Sequence, residues 1–366
     1  MRRPVTARQP VVVKVGSSSV IATDGGLDDT AVGRVVDHVV SLARRGNPPV
    51  LVTSGSIAAG FPALDLTERP TEIAELQVAA AIGQTKLVER YAAHFADQDL
   101  AVAQVLLTKD VLGNRSQYLN ARAALDRMLA LGVIPVVNEN DTVAVDELKL
   151  GDNDQLAAIT AHLIGAGMLV ILTDTEGLYT DDPRLTSDAK LLSAVEHTDD
   201  VLDRIRRATS VGSLGSGGVV TKVAAARMAA FSGIPTVIAS ADVPDVVENA
   251  ISGIEVGTWI DPRPNSLSAR KLWIAFGLAA VGSIAVDDGA VHAISSSGGS
   301  LLAVGLTGVN GEFLRGDAVE VLDGSGSLVA KGISRFGSKD LIEGAGHHSD
   351  TIGGEVIHRD DLVVLT

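Results

Sequence analysis

Along residues 1–260 the apolar positions come in two alternating rhythms. Short unbroken runs of Val, Ile and Leu end on glycine or a polar pair. Longer stretches follow, in which apolar residues recur three and four apart. The runs are Val11–Gly16, Pro49–Gly55, Leu100–Thr108, Val133–Asn140, Met168–Asp174 and Ile234–Ser240. Their continuous apolarity predicts strands covered on both faces. Helices are predicted over Asp28–Arg45, Glu72–Ala96, Ser116–Leu131, Asp152–Gly165 and Thr221–Phe231. In the first of these, Val32, Val35, Val36, Val39 and Leu42 share one face. Such alternation implies right-handed crossovers and a mostly parallel sheet. Ligands then belong beyond the carboxyl ends of the strands.

The rhythm changes near residue 260. Residues 261–280 open on Pro- and Ser-rich sequence and read as a linker. From Val281 onward, short β-runs such as Gly282–Val286 and Asp317–Leu322 alternate with Gly, Asp and Ser turns. This predicts a small all-β module over 281–366, after an α/β domain over 1–260.

Composition narrows the function. Aromatics are only 3% of the chain, which argues against a base-stacking platform for single-stranded nucleic acid. There is no cysteine, which excludes disulfides, iron–sulfur sites and a thiol nucleophile and fits a reducing compartment. The N-terminal apolar run, Val11–Val13, is too short for a signal peptide. No stretch reaches the ~18 apolar residues of a membrane span. The expected location is the cytoplasm, with no membrane partner. The net charge of -15 sets the protein apart from basic proteins built to grip a phosphate backbone.

The polar residues cluster where strands end. They are Lys14 and Gly16 to Ser18; Thr53 to Ser56; Asn138 to Asp141; Gly151 to Asp154; and Thr173 and Asp174. A further loop is expected from Gly215 to Lys222. Two lysines, glycine turns and carboxylates at one sheet edge suit phosphoryl transfer. Glycines admit phosphate oxygens to backbone N–H groups, and lysines offset the transferred charge. No P-loop pattern occurs, and the protein-kinase H-R-D loop is missing. Plainer roles remain open for each residue alone. Lys14 reads as a surface lysine, Ser54, Asn153 and Asp154 as helix caps, and Asp141 as a turn residue.

The ordered set VVVKVGSSSV, VLVTSGSIAAG, IPVVNENDTVA, KLGDNDQLAA, ILTDTEGLYTDDPR and GSGGVVTKVAAA resembles the glutamate-phosphorylating members of the amino-acid kinase family. The pattern Gly311 to Val319 resembles a PUA module. The resemblance implies a three-layer α/β/α sandwich around a mostly parallel sheet, followed by a β-barrel-like PUA domain. It implies ATP-dependent phosphorylation of the γ-carboxylate of L-glutamate, with Mg²⁺. It also implies the first step of proline biosynthesis, feedback inhibition by proline, and a homo-oligomer, dimer or tetramer. By the same resemblance Lys14, Lys222 and Asp154 are catalytic, and Ser54, Asp141 and Asn153 bind glutamate. Lys14, Thr173, Asp174, Ser216, Gly217, Gly218, Val219, Val220, Thr221 and Lys222 bind nucleotide. Gly16 and Gly55 are the glycines at which phosphate approaches. Magnesium ligands are left unassigned.

Two other readings are weighed. A kinase for aspartate, N-acetylglutamate or a nucleotide monophosphate is disfavoured by NENDTVA and the second module. A catalytically silent RNA-binding or regulatory protein is disfavoured by the intact Lys14, Asp154 and Lys222. Residues 281–366 carry five basic against twelve acidic residues, a net charge of -7. RNA binding through counterion release needs clustered Lys and Arg, so none is expected.

Overall fold

The structure, a computed structural model, describes residues 2–22, 26–65, 70–143, 152–181, 183, 186, 188–196, 217–344 and 355–365. It divides into two compact units, Met1–Ser266 and Leu267–Thr366.

The first unit is built on an eight-stranded sheet. Its strands are β1 (Val11–Val15), β2 (Pro49–Thr53), β3 (Val102–Leu107), β4 (Ile134–Glu139), β5 (Met168–Thr173), β6 (Ala194–Val195), β7 (Thr236–Ser240) and β8 (Thr258–Ile260). The order is β3-β4-β2-β1-β5-β7-β8-β6. All pairs are parallel except β7 with β8. The central strands are buried on both faces, which is why they read as uninterrupted Val, Ile and Leu. The chain first builds outward from β1 through β2, then returns to β1's other side with β5. This reversal opens a crevice at the carboxyl ends of β2, β1 and β5.

Helices cover both faces. They are α1 (Asp29–Arg44), α2 (Ser56–Gly60), α3 (Ile73–Ala96), α4 (Arg115–Ala130), α5 (Asp152–Ile164), α6 (Gly217–Phe231) and α7 (Val246–Ile251). Asp28 starts α1 by accepting from the Ala31 N–H at 3.0 Å. The valines of α1 pack with Val11, Val13 and Val15 of β1, Tyr91 and Phe95 of α3, and Val246 of α7. Each buried valine contributes on the order of 2 kcal/mol. Alternation along β1 sends Lys14 to the opposite face, toward α5. No helix among the described residues is long and apolar enough to cross a membrane.

In the second unit, Leu267–Thr366, a five-stranded sheet has the order β11 (Leu306–Asn310), β9 (Gly282–Val286), β12 (Ala318–Leu322), β13 (Leu328–Ile333), β15 (Leu362–Val364). A short pair joins β10 (Leu301–Leu302) to β14 (Glu355–Ile357). The expectation of an all-β module is corrected here. Helices also occur at α8 (Ala269–Leu272, continuing as a π-helix over Trp273–Gly277), α9 (Asp288–Ser296) and α10 (Ser338–Gly344). Asp287 turns the run after β9 into a helix by capping the Ala290 N–H at 2.7 Å. Thus much of the stretch read as a linker over 261–280 is helical. Buried Lys331 donates to the carbonyls of Ala275 and Leu278 there, and burial lowers its pKa.

Candidate active site

Lys14 stands one residue before the end of β1, facing the first turn of α5. Its Nζ lies 2.7 Å from Asp154 Oδ1, with the two side chains only 4% and 1% exposed. Burial lowers the Lys14 pKa, the Asp154 carboxylate opposes this, and the Lys222 ammonium reinforces it. A buried ammonium remains charged only beside such a partner.

Asp154 serves a second lysine. Lys222 Nζ is 3.8 Å from Asp154 Oδ2, and that same oxygen accepts from Thr221 Oγ1 at 2.7 Å. Both residues sit on α6, which packs against α5 where buried alanines, among them Ala157, Ala158, Ala225 and Ala226, permit close approach. Lys222 Nζ also rests on the Gly218 carbonyl at 3.1 Å, one turn back. One carboxylate between two ammoniums leaves a net positive charge. At about 4 Å and an effective dielectric of about 20, a unit pair interacts by roughly 4 kcal/mol, so the imbalance draws an anion strongly.

The loop after β2 carries further polar residues. Gly55 has φ +107°, and a Cβ there would come within 3.2 Å of Val20, so only glycine suits this turn. It leads into α2, which lies backbone-close on α3. A Cβ on Gly83 would sit 1.8 Å from the Ser56 carbonyl, and one on Gly60 would sit 2.0 Å from that of Ala79. This packing sets Ser54 and Ser56. Ser54 Oγ accepts from Asn153 Nδ2 at 2.9 Å, while Ser56 donates to Asp141 Oδ2 at 3.2 Å. Asn153 also donates to Asn138 Oδ1 at 2.9 Å. At the end of neighbouring β5, Thr173 Oγ1 donates to Asp174 Oδ1 at 3.0 Å. A Cβ on Gly16 would lie 3.6 Å from Lys14 Nζ, so glycine leaves open the space beside the ammonium.

A family model described as "Amino acid kinase family" matches residues 9–240, and one described as "PUA domain" matches 282–355. The chain is 44% identical to "Glutamate 5-kinase" of Marinomonas sp. (strain MWYL1), with 100% of both chains covered. It is also 44% identical to that of Pelobacter propionicus, again over 100% of both. With that of Chromohalobacter salexigens it shares 45% identity over 97% of this chain and 96% of the relative. The chain belongs to the glutamate 5-kinase branch of the amino acid kinase family. It is therefore a kinase with a C-terminal PUA domain, and its first unit has the amino acid kinase fold.

Within this amino acid kinase fold, most residues singled out in the sequence occupy one crevice. Lys14, Asp154, Thr221 and Lys222 form one contact cluster. Ser54 and Asn153 join Asn138 in a second, and Asp141 is held by Ser56. Lys14 is buried rather than a surface lysine. Asn153 and Asp154 spend their side chains on tertiary contacts instead of capping α5. The expected loop up to Lys222 is corrected from Gly217 onward. Gly217, Gly218, Val219, Val220, Thr221 and Lys222 already belong to α6. The paired glycines begin the helix, so its unpaired N–H groups face outward as a phosphate site would require. Ser216 lies outside the described residues, as do Gly151 and Asp182.

Sequence reasoning placed Asn138 in the polar group that ends β4 without giving it a role, and it passed over Gln84. Asn138 is buried at the end of β4, where its Nδ2 donates to Gln84 Oε1 at 2.6 Å. The available signal was an asparagine inside an otherwise apolar strand. Gln84 carried no signal, being one polar residue in a long helix.

Proposed function

We propose that this chain transfers the γ-phosphoryl group of ATP to the side-chain carboxylate of L-glutamate, giving L-glutamate 5-phosphate and ADP. The observation that carries the reading is the cluster of buried Lys14 and Asp154 with partly buried Lys222, drawn from β1, α5 and α6 to the carboxyl edge of the sheet. The relatives named glutamate 5-kinase support the choice of acceptor.

The acceptor carboxylate has an ordinary pKa of about 4, so it is ionised at neutral pH and needs no general base. One of its oxygens forms the new bond to phosphorus as the bond from the γ-phosphorus to ADP breaks. The protein's task is alignment and charge neutralisation. Lys14 and Lys222 offset the charge on the phosphoryl oxygens, and Asp154 holds both ammoniums in place. Lys222 can leave the Gly218 carbonyl for a phosphate oxygen by a small side-chain movement. Ser54 and Asn153 hold polar groups of the amino acid, and Asp141, steadied by Ser56, faces its ammonium. Thr173, Asp174 and Ser216 to Lys222 hold the nucleotide.

Among the described residues no three Asp, Glu or His side chains converge as a metal cluster. Both Asp154 oxygens already face cationic or hydroxyl partners. Mg²⁺ therefore belongs with the ATP phosphates, as is usual for this ion, and no step is assigned to it.

The same reading makes this the first step of proline biosynthesis in the cytoplasm, by a homo-oligomer that proline inhibits. The acidic PUA domain binds no RNA under it. The deciding assay is ADP release with glutamate, aspartate or N-acetylglutamate, each with and without proline. Turnover of glutamate alone, suppressed by proline, is expected. Turnover of N-acetylglutamate alone would refute the acceptor.

A further inference from the structure

We infer that Gln84 is a positioning residue for the acceptor carboxylate, acting through Asn138 and Asn153 on Ser54; this rests on the glutamate reading above. The Glu139 backbone N–H can only donate. It points at Asn138 Oδ1 at 2.9 Å and at Asn153 Oδ1 at 3.2 Å. Both amides are thereby oriented without ambiguity.

Asn138 must then turn its Nδ2 toward α3, where Gln84 Oε1 accepts at 2.6 Å. Asn153 must turn its Nδ2 toward Asn138 Oδ1 and Ser54 Oγ, each at 2.9 Å. The hydrogen bonds therefore have one polarity. Because Ser54 Oγ accepts from Asn153, its own proton is left for an acceptor in the crevice. A carboxylate supplies one.

Gln84 anchors the far end. It is only 8% exposed, and its Nε2 is buried without a hydrogen-bond partner among the described residues. Leaving a buried amide donor unpaired is unfavourable, and the fold tolerates it while spending Oε1 on Asn138. Without that oxygen, Asn138 Nδ2 would be the buried donor left unpaired. Asn138 would turn, and its Oδ1 would leave Asn153.

The test compares Gln84→Met with Gln84→Glu in the full chain. Met fills similar volume without an acceptor, whereas Glu keeps an oxygen for Asn138 and lacks the amide donor. Gln84→Met is expected to raise the KM for glutamate about tenfold, with kcat and the KM for ATP within about threefold. Gln84→Glu is expected to stay within about threefold of the parent in all three. If Gln84→Met does not fold, Gln84→Glu decides alone. A glutamate KM for Gln84→Glu raised beyond about tenfold would mean that Nε2, not Oε1, is the working atom, and would overturn the inference. So would an unchanged KM in a folded Gln84→Met, or equal rises for glutamate and ATP. A parent enzyme inactive on glutamate would instead bring down the acceptor assignment, and this inference with it.

Discussion

Lys14 on β1 and Asp154 on α5 form an ion pair of 2.7 Å in which neither side chain is appreciably exposed. Removing one partner of such a pair strands the other charge, at a cost of about 3–5 kcal/mol. Asp154→Asn keeps the shape and removes the charge that keeps Lys14 protonated against burial. The expected kcat loss is at least ~100-fold at neutral pH. The sign of the pH effect follows. Lys14 is active as the cation, and without Asp154 its pKa drops further. The alkaline limb of the kcat profile should therefore move to lower pH. A pH–rate profile of the variant checks this, and an unmoved alkaline limb would separate Lys14 from the rate.

Lys222→Ala should lower kcat by ~100-fold or more while the glutamate KM changes by less than ~5-fold. Lys222 touches Asp154 and the Gly218 carbonyl, and it has no contact with Ser54, Asn153 or Asp141 among the hydrogen bonds and ion pairs described. Steady-state kinetics with each substrate varied in turn measures both quantities.

Gly83→Ala places a methyl group 1.8 Å from the Ser56 carbonyl, where neither backbone can yield alone. Overpacking of this kind costs about 1–3 kcal/mol. A lower Tm is expected, together with a glutamate KM raised more than the ATP KM, because α2 carries the loop holding Ser54 and Ser56. Thermal unfolding and the KM pair test it.

The central strands were legible because parallel strands covered on both faces can be little else than runs of Val, Ile and Leu. Strand β3 shows the same run but lies at the sheet edge with exposed positions, and the short β6 and β8 were not read. The crevice residues were legible because they punctuate those runs. Other features depend on chain contacts that spacing does not encode. Asn138 and Gln84 meet at a sequence separation of 54, from a strand and a helix. Ser56 gains meaning only once α2 brings its hydroxyl to Asp141. The start of α6 at Gly217 was hidden because paired glycines read as a loop. The helix α9 was hidden inside an apolar run, where a single capping Asp287 decides.

His162, near the end of α5, lies against Tyr118 with ring centroids 6.0 Å apart. Burial, with a smaller contribution from Arg122, lowers its pKa to about 4. Folding thus disfavours the protonated form. The unfolded chain binds the proton from its ordinary value near 6.5 downward, so stability falls as pH drops from about 6.5 to about 4. The loss over that window amounts to roughly 3 kcal/mol at most. A variant His162→Gln should flatten this part of a Tm-against-pH curve, and an unchanged slope would place the acid sensitivity elsewhere.

The PUA domain invites an RNA assay, yet its net charge of -7 over 281–366 offers little to release counterions. Titration of the full chain with tRNA at low and moderate salt should give no salt-dependent shift. A shift that weakens steeply with salt would reverse that reading.

The central claim is that two lysines sharing Asp154 drive phosphoryl transfer onto a glutamate carboxylate. Hydroxylamine trapping tests it most directly, because an acyl phosphate yields a hydroxamate and other phosphorylated products do not. Incubation with ATP and glutamate should give the 5-hydroxamate in step with ADP, and Lys222→Ala should slow both by ~100-fold or more. ADP release without hydroxamate, or hydroxamate formed undiminished by Lys222→Ala, would contradict the account.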